Sequence, residues 1–172
     1  MQTYLPDPDF YVSAKLLDKK RLNNQRNENF VIADCLLGLL PPNHPWMKHP
    51  AVRMWQGHEI AFSRYMQDIH YTCSKRGIKS APETILRVVK TMVRLAEHNP
   101  EDDGSDPDWI GGFVHENHRA KLLFKDPEYY QQHNWKEKPD GRSWYAVPWG
   151  RKQQDGYGDH KRLDSDLSRK EK

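Results

Sequence analysis

The sequence predicts an all-α protein, a single compact domain of about four to five helices. Apolar residues recur at spacings of three and four in several separate stretches, as one buried helix face requires. Proline and glycine fall near the ends of those stretches, where helices start and stop. No stretch alternates apolar and polar residues for long enough to claim a sheet. A chain of 172 residues is long enough for one domain with a real core. The domain is expected over residues 1–150. Residues 151–172 carry almost no apolar side chains and are expected to be a disordered polar tail.

The lead-in Met1 to Pro8 reads as extended, because Pro6 and Pro8 block an early helix. Asp7 or Asp9 can cap a short helix through Phe10, Ala14 and Leu17. A second helix starts at Asp18, continuous with the first or kinked from it, and is stopped by Gly38 and Pro41-Pro42. Pro50 suits the first turn of a long helix ending at Gly77, with Trp55, His58, Phe62, Tyr65 and Ile69 on its core stripe. Pro82 and Glu83 open a helix that turns Ile85, Val88, Val89, Met92 and Leu95 inward. The acidic stretch Asn99 to Trp109, with Gly104 and two prolines, reads as a surface loop. A last helix runs from about Phe113 to Phe124, and Asp126-Pro127 ends it or begins a short turn carrying Tyr129 and Tyr130. Beyond Trp135 the pattern fades, and Trp144, Tyr145, Val147 and Trp149 are candidates to strap back onto the body or to touch a ligand.

Charge narrows the class of partner. The net charge is only +3, but its distribution is uneven. Between Lys15 and Arg26 the bases Lys15, Lys19, Lys20, Arg21 and Arg26 face the single acid Asp18, while acids gather in the loop from Glu97 to Asp108. Separated charge of this kind suits a nucleic-acid face, though solvated helices also show it. No apolar run has the length of a membrane span. Cys35 and Cys73 both lie in apolar helical patterns, so reduced, buried thiols in a cytoplasmic protein are expected.

The stretch with most chemistry is Asp18 to Leu40. At helical spacing Arg21, Gln25, Glu28, Ile32, Cys35 and Leu39 share a face, half apolar and half polar. A carboxylate there is either paired, with Arg21 or Arg26, or poised for chemistry, because burying it bare is too costly. His58 is either a hydrogen-bonded core histidine or a catalytic one. His115 and His118 form H-x-x-H, but no cysteine pair or H-E-x-x-H accompanies them, so neither metal nor cofactor is expected. A metal-dependent nuclease using that pair is the outlying reading. Phosphate-binding glycine loops and nucleophile elbows are missing from the sequence.

Three patches in order resemble the pyrimidine-dimer DNA glycosylases of the phage endonuclease V type. Gln25-Arg26-Asn27-Glu28 is similar to that family's Arg-Glu step, where the glutamate is catalytic. Gly57-His58, Phe62 and the run Cys73 to Lys79 resemble its long middle helix, with an active-site histidine at the place of His58. His118-Arg119 leading to Asp126-Pro127-Glu128-Tyr129-Tyr130 resembles its closing segment, whose aromatics lie near DNA. The resemblance implies an N-terminal segment threaded between helices, a monomer, and damaged double-stranded DNA as substrate. It implies Glu28 and His58 as catalytic residues. Arg21, Gln25, Arg26, Arg53, Lys75, Arg76, Arg119, Tyr129 and Tyr130 become the DNA contacts. The nucleophile in the family is the α-amine of a threonine exposed by removal of the initiator methionine. Here residue 2 is Gln2, so the amine falls to Met1 or Gln2. The arginine and glutamate stand one residue further apart than in the family. The alternative is a non-catalytic DNA-binding protein on the same scaffold.

Overall fold

The computed structural model describes residues 3–142 and residue 145, and every regular element among them is helical. Met1, Gln2, Trp144, Val147, Trp149 and the expected tail from Arg151 lie outside the described residues. Seven α-helices follow in order: α1 Phe10–Leu16, α2 Lys19–Leu36, α3 Pro50–Arg53, α4 Glu59–Lys75, α5 Pro82–His98, α6 Val114–Lys125 and α7 Pro127–Tyr130. The two helices beyond the expected four to five are the short turns α3 and α7.

Local chemistry sets the boundaries. Asp9 caps α1 by accepting from the Val12 N–H, and Asp18 caps α2 by accepting from the Arg21 N–H, so the chain kinks between them. The helix expected from Pro50 to Gly77 is broken. Its first turn is α3, and the chain then turns at Met54 to His58, where Gly57 takes φ +83° and donates its N–H to the Glu59 carboxylate. The break drops Trp55 into the centre of the core. Its ring stacks on Tyr65 at 5.6 Å and meets Phe62, Phe10 and Trp109 at angles. Leu5, Leu17, Leu22, Ile32, Ile69, Leu95 and Leu122 close around this cluster. Cys35 and Cys73 are buried free thiols, as expected.

One surface reading needs correction. On α5, Val88 and Leu95 turn inward, but Ile85 and Val89 do not; they are 56% and 54% exposed. The helix lies at the outside of the bundle and touches it along a narrow stripe, so its apolar residues outnumber the inward positions. The acidic loop, in turn, is fastened down. Asp102 accepts from the Ile60 N–H at 2.7 Å, and Arg64 donates to the Gly104 carbonyl and to Asp106. Carboxylates at the N-terminus of α4 complement its helix dipole.

The start of α2 and the α7 turn meet at Asp18. Its carboxylate caps α2, pairs with Arg21 at 2.6 Å and accepts the Tyr130 hydroxyl at 2.6 Å. Burial pushes this carboxyl upward, but the bonds from Tyr130 and Arg21 outweigh it and hold it below the usual range. Trp135 stacks on the other side of Tyr130 at 5.6 Å, and Asp140 donates its N–H to Ala120 on α6. Asp18→Ala therefore removes a cap, an ion pair and a phenol acceptor together. It should lower stability by about 2–4 kcal/mol in urea unfolding, and Tyr130→Phe by about 1–2 kcal/mol. In a double-mutant cycle the two costs should not add, because they share one bond.

Candidate active site

An irregular leading segment, residues 3–9, packs against α2, α4 and α6; Thr3, Leu5 and Pro6 are buried, and Pro8 and Asp9 are exposed. A buried stretch outside any helix leaves peptide groups that need partners. Side chains supply them. The Tyr4 N–H donates to Gln25 on α2, and the Leu5 N–H to Nδ1 of His118 on α6. The Asp7 N–H donates to the Ser13 hydroxyl, which returns its proton to the Asp7 carbonyl. The Leu5 carbonyl meets Nδ1 of His115, and the Pro6 carbonyl accepts from Arg119. Pro6 and Pro8 have no N–H to satisfy. Thr3 and Leu5 are buried, at 1% and 0% exposure, and Thr3 accepts from the Trp55 indole.

Gln25 connects this segment to the polar face of α2. Its Oε1 accepts from the Tyr4 N–H at 3.0 Å and from the Tyr65 hydroxyl at 2.6 Å. Those two donors fix the amide, so Nε2 points to Glu28 and donates to its carboxylate at 3.0 Å. Tyr65 is completely buried, and burial together with the nearby charge of Glu28 pushes its hydroxyl well above the usual phenol range. It therefore stays a neutral donor. Burial likewise raises Tyr4, against the pull of Arg21 and with the help of Glu28. Glu28 itself is half-buried at the edge of this cluster.

The expected site residues separate into those gathered here and those used elsewhere. Gln25, Glu28 and Arg21 share the α2 face beside the start of the described chain. The expected pairing of Glu28 with Arg21 or Arg26 gives way to other bonds. Arg21 binds Asp18 and Asp126, and Arg26 donates to the Lys79 carbonyl and the Ser80 hydroxyl. His58 is the N-cap position of α4, within electrostatic reach of Asp103 on the acidic loop. Arg53 and Lys75 are exposed. Arg76 is exposed and donates to the Leu17 carbonyl, and Arg119, half-buried, clamps Pro6 while pairing with Glu137. Tyr129 is half-buried, edge-on to Tyr130. Tyr130 corrects the expectation of a base-stacking residue: it is 0% exposed, its hydroxyl is held by Asp18 and its ring is covered by Trp135. Met1 and Gln2, the expected nucleophile positions, lie outside the described residues.

Sequence reasoning passed over Tyr65, His49 and the role of the histidine pair. Tyr65 was visible as a core position, and only its hydroxyl hinted at a second duty. His49 caps α3 through Nδ1, packs on Trp46 at 4.6 Å and meets the edge of Tyr145. His115 and His118 showed their shared face by spacing, and that face binds the backbone of Leu5. Among the described residues there is no cluster of three or more metal-ligating side chains, and no helix is long and apolar enough to cross a membrane.

The structure is thus a helical protein in which Gln25 ties a buried leading segment to a carboxylate on α2. The family model for pyrimidine dimer DNA glycosylase matches residues 1–86, half of the chain, and the chain belongs to that family. Its broad function is thereby that of a DNA glycosylase in DNA repair. The matched part holds Gln25, Glu28, Tyr65 and the threaded segment, while α6 lies outside it. No curated protein and no solved structure matches the chain.

Several imidazoles are held neutral by burial, which pulls His49 and His70 down to about 4 and also lowers His115. In the unfolded chain they titrate near 6.5. Between these values the unfolded chain binds more protons, so stability is fully present above about pH 6.5 and is lost as the pH falls toward 4. Urea unfolding at pH 7.5, 6 and 5 should show that decline. His70→Phe keeps the ring contact with Phe30 and removes an Nε2 that has no partner among the described residues. It should flatten the decline by on the order of 1 kcal/mol per pH unit.

Proposed function

We propose that this protein excises a damaged pyrimidine and then cuts the strand at the resulting abasic site, using the amine that begins the chain as nucleophile and Glu28 as the proton-handling carboxylate. The observation that carries the reading is the double hold of Gln25, one end of its amide on the Tyr4 N–H and the other on the Glu28 carboxylate. One side chain thus couples the leading segment to the acid.

The chemistry asks for these groups. The amine lone pair attacks C1′ of the sugar, and the bond from C1′ to the base breaks with the electron pair leaving on the base. Loss of the amine proton and opening of the sugar ring give an imine. A base then removes the C2′ proton, and the C3′–oxygen bond breaks in β-elimination. An α-amine has a pKa of about 7.7–8.0 against about 10.4 for lysine, so near pH 7 it is richer in free base by a few hundredfold. Glu28 suits two tasks, stabilising the cationic sugar and accepting the C2′ proton. Arg21 lies by the same face, and Arg53 and Lys75 offer exposed cations for phosphates of damaged duplex DNA. Tyr129, half-exposed, is the aromatic left to stack on an unpaired base. His58, the residue just before the Glu59 end of α4, is assigned to the DNA backbone rather than to the reacting sugar. The nucleophile and the base both come from the chain, and one monomer suffices.

Incubation with abasic-site duplex DNA and borohydride should trap a covalent protein–DNA adduct. Glu28→Gln should leave DNA binding within about threefold and slow strand cleavage by at least about a hundredfold. A wild-type protein that binds the duplex and forms no adduct would establish the non-catalytic alternative, which the large Gln2 side chain beside Met1 favours. Full activity in Glu28→Gln would remove that residue from the mechanism.

A further inference from the structure

The H-x-x-H pair is buried, lies beyond the part of the chain that the family model matches, and has no role in the chemistry above. His115 and His118 are one helical turn apart on α6, at 3% and 0% exposure, and both reach the same residue of the threaded segment. The Leu5 N–H donates to His118 Nδ1 at 2.9 Å. A peptide N–H can only donate, so that ring nitrogen carries a lone pair. The Gly111 N–H donates to His115 Nε2 at 2.9 Å, which makes that nitrogen an acceptor too. The remaining nitrogen of His115, Nδ1, therefore bears the proton and donates it to the Leu5 carbonyl at 2.8 Å. Backbone geometry alone fixes both rings as neutral and assigns their tautomers.

We propose that His115 and His118 are positioning residues: a proton-sensitive clasp that closes on Leu5 and holds the leading segment of the chain in its groove. Its relevance to catalysis rests on the amine reading given above. A protonated His118 would set N–H against the Leu5 N–H, and a protonated His115 would set N–H against the Gly111 N–H. Either event converts a hydrogen bond into a repulsion inside the core and opens the clasp. The charged groups around His115 are Arg119 and Glu116 on α6 and Asp7 on the segment itself. His118 meets the edge of Tyr4 at 6.0 Å. Arg119 closes the same seat from the next position along, through the Pro6 carbonyl at 2.7 Å. The second half of the chain thus completes a site whose chemical groups lie in the first half.

Amide hydrogen exchange on the full chain tests the clasp without reference to activity. At pH 7.5 the Leu5 amide should be protected in the wild type, and His118→Phe should speed its exchange at least tenfold relative to core amides of α4. Asparagine places its side-chain oxygen where Nδ1 stands and cannot take up a proton. Burial favours the neutral rings, so the clasp opens only well below their ordinary range. His118→Asn should therefore restore protection and keep it at pH 4.5, where the wild-type Leu5 amide loses it relative to core amides of α4. Leu5 exchange that is indifferent to all three side chains, or protection in the wild type that persists at pH 4.5, overturns the clasp. Should His118→Phe fail to fold by circular dichroism, the comparison of His118→Asn with wild type across pH decides alone. Borohydride trapping on abasic DNA is run alongside. Trapping slowed at least tenfold in His118→Phe, with DNA affinity unchanged and the acid limb of the pH profile removed by His118→Asn, ties the clasp to the reaction. If exchange behaves as expected but the wild type gives no adduct, the clasp stands and the amine chemistry falls. If the wild type is trapped and Leu5 exchange ignores His118, the chemistry stands and the clasp falls.

Discussion

A buried peptide segment must have its N–H and carbonyl groups hydrogen-bonded, and this molecule buries one where, among the described residues, no sheet receives it. The partners are side chains drawn from α2, α4 and α6: Gln25, Tyr65, His115, His118 and Arg119. Two prolines reduce the number of donors to be satisfied, and Ser13 at the start of the bundle takes both groups of Asp7. The arrangement explains why polar residues occupy inward positions on three helices. Each would be costly alone in the core, and each is matched to a backbone group that would otherwise be equally costly.

The same matching positions the site. Gln25 cannot rotate without losing either Tyr4 and Tyr65 or Glu28, so the segment and the carboxylate are held in one register. Asp18 does the corresponding work at the other end of the polar face. It binds Arg21 and Tyr130 together and so fixes α2 against the closing segment. Arg119 fastens the Pro6 carbonyl, and Arg76, though exposed, fastens the Leu17 carbonyl. Exposed cations that remain for a polyanion include Lys19, Lys20, Arg53 and Lys75.

Helix class, most helix starts and the polar face of α2 were legible in the sequence, because caps, prolines and three-four spacing act locally. The break at Met54 to His58 was not. Gly57 is one glycine among ten, and only the demand of the core for the Trp55 ring distinguishes it. Ile85 and Val89 were misassigned because spacing reveals an apolar face but not how much of it a neighbour covers. The resemblance places Tyr130 among the DNA contacts, but the buried Asp18 that claims its hydroxyl lies 112 residues away in sequence. The histidine pair shows the same limit. Spacing placed both rings on one face, yet what stands opposite that face belongs to the first residues of the chain.

The account rests on the leading segment being held beside Glu28 so that its own terminal amine does the chemistry. The most direct measurement is peptide mapping by mass spectrometry of the borohydride-trapped adduct with abasic DNA. The account predicts that the sugar remnant sits on the α-nitrogen of the N-terminal peptide. A remnant on the side chain of an internal lysine would contradict it.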